Sequence, residues 1–277
     1  MILNYEVAKV NIRIETDFDV LQSQASPLFL TDSESFDVKI DIHLGDANIK
    51  GKKVFSGEFS DVIETEDGEY VTVYYGSDNK TQNFILRKSD NGYSCILNSQ
   101  CPQTGRDMYC FWGYINLPSI FIERKKLLLH CSYIIYNGKA ILFCGKSGIG
   151  KSTQAELWKK YAGAEIINGD KAVVYSENGT LYASSLPIAG SSGICSNKTA
   201  EVAAIVLLEQ SDGNEVMKTT YANGVVSLLS NCLFDVWKEY EINKAIDICS
   251  EVCSAANVIR YRCTPDKSAV DCLKVVI

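Results

Sequence analysis

The stretch ILFCGKSGIGKSTQAELW, residues 141–158, decides how the second half of the chain is read. Four apolar residues run into a loop of small residues, and an amphipathic segment follows. Gly145, Lys146, Ser147, Gly148, Ile149, Gly150, Lys151 and Ser152 satisfy G-x-x-x-x-G-K-[S/T] in full. Glycines there let the backbone turn tightly and bring N–H groups toward an anion without Cβ collisions. Lys151 supplies a mobile charge for the β and γ phosphates, and the Ser152 hydroxyl is placed to ligate Mg²⁺, with Thr153 beside it at the start of the helix. The helix KSTQAELWKKY, carrying Ala155, Leu157, Trp158 and Tyr161, aims the positive end of its dipole at the same point. Strand, loop and helix in this order favour a phosphate site over a glycine turn that binds nothing.

Outward from the loop, LLLHCSYIIY, Asn137-Gly138 and KAILFCG read as two strands joined by a two-residue hairpin, since Asn-Gly takes positive φ readily. KAVVYSE, Asn178-Gly179 and TLYASSL repeat the pattern at 171–186. EVAAIVLLEQ (201–210) reads as a buried strand. YANGVVSLLSNCLFDVW (221–237) follows as a helix, with Val225, Leu228, Leu229, Cys232 and Leu233 on one face. A second helix is expected in INKAIDICSEVCSAAN, with Ile242, Ile246, Cys249 and Cys253 along a stripe; NVIRYRC (257–263) returns as a strand and SAVDCLKVVI as a terminal helix. Alternating strands and helices predict an α/β domain over 127–277. Residues 1–126 read instead as a β-rich region of unassigned role, from segments such as VKIDIHL (38–44), YVTVYYG (70–76), NFILRKS (83–89) and YSCILN (93–98). In the joining stretch 106–128, Pro118 should break or start a helix, and Glu123 to Lys126 read as a solvated charged face.

The 277 residues are 46% hydrophobic, with a formal charge of −7. An acidic chain repels nucleic acid and anionic lipid, so an anion site has to come from local geometry. Without an apolar run of about 18 residues or a secretion signal at the start, the expectation is a cytoplasmic protein without a membrane span. Eleven cysteines, an odd count without a C-x-x-C pair, are expected to be free thiols, and with His43 and His130 the only histidines a structural zinc site is not expected.

A carboxylate for the metal is sought next. Asp170 in EIINGDKAVVY (165–175) is the choice, with an ordinary turn residue as the alternative. Glu209 at the end of its strand stands equally as a second metal carboxylate or a surface residue, and His130 is read as structural before being read as a helper near the phosphates. NKTA at 197–200 carries Ala200 where a guanine-reading aspartate would stand, so GTP is not indicated.

LLLHCSYIIYNGKAILFCGKSGIGKSTQAELW, INGDKAVVY, SLPIAGSSGICSNKTAEVAAIVLLEQ and the closing YRCTPDKSAVDCL together resemble the C-terminal domain of HPr kinase/phosphorylase and its relatives, over roughly 127–277. That family shares its P-loop core with ATP-dependent phosphoenolpyruvate carboxykinase. The resemblance implies a fold of β-rich region plus P-loop kinase domain, with ATP and Mg²⁺ as cofactors. It also implies γ-phosphoryl transfer to a hydroxyl of a protein, peptide or small molecule, with Lys151 and Asp170 catalytic, and self-association is possible. Members of the family proper carry adjacent aspartates where this chain has Gly169-Asp170, and an R-G-x-G-I stretch where it has AGSSGI, so HPr itself is not the expected acceptor. The missing aspartate makes a weak or inactive ATP-binding regulator the alternative. A carboxykinase-like activity ranks last, because the His, Lys and Arg cluster it wants is not seen.

Overall fold

In a computed structural model the described residues are 1–57, 60–74, 81–100 and 105–277. They form a strand-rich mixed α/β protein of two compact units, Met1–Asn116 and Leu117–Ile277, where the sequence reading divides the chain at 126/127. The second unit begins earlier because the helix over Leu117–Ile122 belongs to it. Ile122 joins the core of the later strands, and the Ser119 hydroxyl lies 2.6 Å from Glu241 Oε1.

In the first unit the described strands are β1 (Ile2–Val7), β2 (Val10–Thr16), β3 (Val38–Gly45), β4 (Lys52–Ser56), β5 (Ser60–Thr65), β6 (Gly68–Tyr74), β7 (Gln82–Ser89) and β8 (Gly92–Asn98). They make one sheet in the order β1-β2-β3-β8-β7-β6-β5-β4. The expected strands are present, and Tyr75 and Gly76 of YVTVYYG lie outside the described residues. Alternate residues Val10, Ile12 and Ile14 are buried, as a half-covered sheet requires. Helix α1 (Met108–Tyr114) starts on Asp107, whose carboxylate accepts from Cys110 N at 2.8 Å. Its Trp112 packs edge-on against Tyr5 and donates to Ser26 Oγ at 2.9 Å.

The second unit opens with α2 (Leu117–Ile122), which Pro118 starts rather than breaks. Its strands are β9 (Lys126–Tyr136), β10 (Lys139–Cys144), β11 (Glu165–Asn168), β12 (Lys171–Glu177), β13 (Thr180–Ser184), β14 (Thr199–Gln210), β15 (Glu215–Lys218), β16 (Cys232–Leu233) and β17 (Val258–Cys263). Its remaining helices are α3 (Lys151–Ala162), α4 (Tyr221–Leu229), α5 (Glu239–Ala255) and α6 (Lys267–Leu273). Both Asn-Gly hairpins form as expected, with φ of 49° and 78° at 137–138 and 51° and 81° at 178–179. Because β10 pairs with both β9 and β14, the pairings β9–β12–β13–β14–β10 close on themselves. Helices cover both faces. Ala140, Leu142 and Cys144 pack with Leu228 of α4 and Ile248, Cys249 and Val252 of α5, while Ile141 and Phe143 pack with Ala155 and Trp158 of α3 and Val270 and Leu273 of α6.

Two helical expectations are corrected. α4 ends at Leu229, and Cys232 and Leu233 leave the helix to pair with Leu129 and Leu128 on β9, a length of strand edge that would otherwise hold unmatched amides. On α5 the buried stripe is Glu241, Ala245, Ile248, Cys249 and Val252, which leaves Ile246 exposed. A glutamate is an unexpected core residue, yet the Glu241 carboxylate accepts from Asp235 N at 3.1 Å and contacts Ser119, which holds that face inward. The cluster read as a solvated face is partly tied down: Lys126 Nζ sits 3.8 Å over the Tyr175 ring and Tyr240 O–H donates to Glu123.

Trp158 is fully buried under the glycine loop, 5.2 Å from the Tyr136 ring. Trp158→Ala is expected to cost about 3–5 kcal/mol of stability, read by urea unfolding, because it removes a fully buried side chain packed against Tyr136 and Phe143.

Candidate functional site

β10, β14 and β17 run parallel, with Cys144, Leu207 and Arg260 in register. Their carboxyl ends form the edge at which open α/β sheets bind ligands. From that edge the glycine loop leaves β10. Gly145 and Gly150 take φ of 146° and 112°, where a Cβ is strained, and a Cβ on Gly145 would stand 3.0 Å from Ile149 Cγ2. Gly150 is the N-cap of α3 and has no side chain to cap it, so the first-turn amides are left for another acceptor. On the far side of the loop, Gln210 Nε2 donates to Gly148 O at 3.2 Å and ties the loop to the end of β14.

Lys151 is 8% exposed, and its ammonium donates to Gly145 O at 2.9 Å and Lys146 O at 3.3 Å. Burial pulls its pKa below the usual lysine range. Gly145, Lys146, Ser147 and Ile149 line a cavity of about 760 Å³, together with His130, Glu209, Gln210 and Arg260 and the wall from Asn231 to Leu233. Gly148 sits at the loop tip with φ of 77°. Ser152 and Thr153 are exposed and line a separate groove with Glu156 and Lys160.

The turn that carries Asp170 is built by Asn168, a fully buried residue. Its Oδ1 accepts from the N–H groups of Asp170 and Lys171, both at 3.0 Å, while its Nδ2 donates to Leu186 O at 3.2 Å and Ile188 O at 2.9 Å. Every polar atom of the carboxamide is used, so the turn is fixed. Asp170 Oδ1 then lies 3.4 Å from His130 Nδ1, and Lys171 Nζ pairs with Oδ2. Gly190 closes the other side: a Cβ there would stand 2.5 Å from Asp170 Cβ. At Gly169 an added Cβ would meet the Ser192 hydroxyl, with the Ser192 Cβ at 3.0 Å.

His130, read first as structural, is brought to the site. Burial lowers its pKa, with Lys151 as the next cause, and together they outweigh the raising influence of Asp170. Glu209 also reaches the cavity, but its surroundings do not suit a metal role, one of the two readings open to it. Its Oε1 accepts from Arg260 Nε at 3.0 Å and its Oε2 from Arg262 Nε at 3.4 Å, and the Arg260 hydrogen bond holds its pKa down. Among the described residues no three His, Cys, Asp or Glu side chains gather to hold a metal ion. Asp170 is engaged by His130 and Lys171 and Ser152 lines the separate groove, so these two side chains alone do not make a metal site, and a Mg²⁺ ion would have to take most of its oxygens from bound phosphates.

Sequence reasoning missed Asn168, Lys171 and Arg260. Turn chemistry in Asn-Gly-Asp hinted at the first. Arg260 reads only as the polar face of an alternating strand, and nothing local says that its register falls beside Cys144.

A histidine with a lowered native pKa takes up its proton more readily when unfolded, so stability present above about pH 6.5 is lost as pH falls below it. His130→Asn is expected to flatten that part of the loss, read by urea unfolding at about pH 7.5 and about pH 5.5.

No protein-family model matches the chain, and no curated protein matches it. Among solved structures, the Hpr(Ser) kinase/phosphatase from Coxiella burnetii is similar over 54% of this chain and 91% of its own, at 15% identity and a TM-score of 0.31.

Proposed function

We propose that the chain binds ATP at Gly145–Ser152 and transfers its γ-phosphoryl group to a hydroxyl of a protein, peptide or small-molecule acceptor. One observation carries the reading: a buried lysine ammonium lies inside a glycine loop at the carboxyl edge of parallel strands, beside a cavity whose His130 touches Asp170. Phosphoryl transfer asks little covalent chemistry of a protein and much positioning and charge neutralisation.

Lys151 exchanges its carbonyl contacts for phosphate oxygens, and the uncapped first turn of α3 receives the same charge. Magnesium, held by Ser152, Asp170 and the phosphates, would neutralise charge on the transferring group. Asp170 accepts the proton of the acceptor hydroxyl, with Asn168 fixing its backbone and Lys171 its carboxylate. Arg260, steadied by Glu209, supplies further positive charge on the cavity wall. A second reading, an ATP-binding regulator without transfer, draws on the Lys171 pairing, which already engages the one carboxylate of the turn.

The test uses labelled ATP, Mg²⁺ and acceptors from fractionated extract of the protein's own cells. Asp170→Asn is expected to lower transfer about 10²- to 10⁴-fold while nucleotide affinity is kept, and Lys151→Ala to remove both. Equal transfer by Asp170→Asn would refute its assignment, and saturable binding without turnover in the parent would favour the regulator.

A further inference from the structure

Behind one wall of the cavity lies a thiol pair that the proposed chemistry does not use. Cys232 on β16 and Cys249 on α5 place their sulfurs 3.5 Å apart. Cys232 is half-buried and lines the cavity, whereas Cys249 is fully buried. Two other cysteines lie close by: Cys131 and Cys144, directly opposed on β9 and β10, are fully buried. Cys232 is thus the sulfur of this group that a small solute in the cavity can reach.

β16 also bears on the site itself. The His130 N–H donates to Asn231 O at 2.9 Å, and Cys232 pairs with Leu129, the neighbour of His130. Anything that moves Cys232 moves the segment on which the His130 backbone rests.

We propose that Cys232 and Cys249 form a peroxide-oxidisable dithiol whose disulfide reshapes the cavity wall and the seat of His130. The Cys232 sulfur attacks one peroxide oxygen, the O–O bond breaks, and the departing hydroxide leaves as water with the thiol proton. The resulting sulfenic acid is attacked by the Cys249 sulfur, its S–O bond breaks, and a second water leaves with the Cys249 proton. Two thiols are oxidised and one peroxide is reduced to two waters. A disulfide needs the sulfurs about 2.0 Å apart, so they close by about 1.5 Å. Of the two elements, the 2-residue β16 yields before the 17-residue α5, and Cys232 is drawn off the cavity wall. The Cys249 contact and burial both push the Cys232 thiol up, so thiolate is scarce at neutral pH and the reaction asks for sustained peroxide.

The experiment treats the full chain with hydrogen peroxide, blocks remaining thiols with N-ethylmaleimide, and maps the products by peptide mass. The expected product has lost two hydrogens, joins the Cys232 and Cys249 peptides, and is reversed by dithiothreitol. A bond joining Cys131 to Cys144 or Cys249 to Cys253, or a Cys232 that passes to sulfinic acid unpaired, overturns the proposal. In Cys249→Ala the sulfenic acid at Cys232 should become trappable by dimedone, and a Cys232 disulfide persisting there overturns it as well. Oxidised protein is expected to bind ATP with Mg²⁺ more weakly, by a ratio that dithiothreitol erases; unchanged affinity overturns the coupling to the site. That coupling rests on the cavity being the nucleotide site, whereas the cross-link is read by mass, so either can fail without the other.

Discussion

One ammonium group governs the arrangement of the second unit. Lys151 follows the N-cap of α3, and its side chain is turned back into the loop, where water is scarce and carbonyl oxygens are its partners. A cation removed from water is costly unless oxygen atoms surround it. The glycine loop provides them by bending at Gly145 and Gly150 through angles other residues resist. Trp158, two turns further along the same side of α3, fixes the helix against Phe143 and Tyr136 and thereby fixes where the lysine starts. Loop, helix and strand are one mechanical piece.

A second piece, built around a carboxamide, faces the first. Asn168 spends its oxygen on two backbone amides and its nitrogen on carbonyls of the 186–188 segment, so the chain on both sides of Asp170 is held by a single side chain. β9 joins the two pieces: its later half pairs with β10 and its earlier half with β12, and His130 stands where the halves meet. Lys151 and Asp170 are thus set by different turns, on strands that flank β9 from its two sides.

Legibility from sequence followed the range of the interactions involved. The two Asn-Gly hairpins, the strand entering the loop and the helix leaving it depend on contacts among near neighbours, and these were readable. The end of α4 was not, because Cys232 and Leu233 are apolar at helical spacing and what draws them away is an open stretch of β9 a hundred residues earlier in the chain. On α5 the periodic stripe misplaced Ile246 because the helix starts earlier than expected, and Glu241, outside the expected helix, is buried through Ser119 and Asp235 and turns its own face inward. In the site, the loop motif named its own residues, while the commitment of Glu209 to Arg260 and Arg262 and the approach of His130 to Asp170 are products of strand register. No local pattern in the sequence encodes them.

The contact between Gly169 and Ser192 links two positions that are far apart along the chain. With serine at 192, a side chain at 169 fits only if the exposed Ser192 side chain gives way. A larger residue at 169 is therefore accommodated only by movement of the short turn over Gly190–Ser192, the same turn that closes against Asp170.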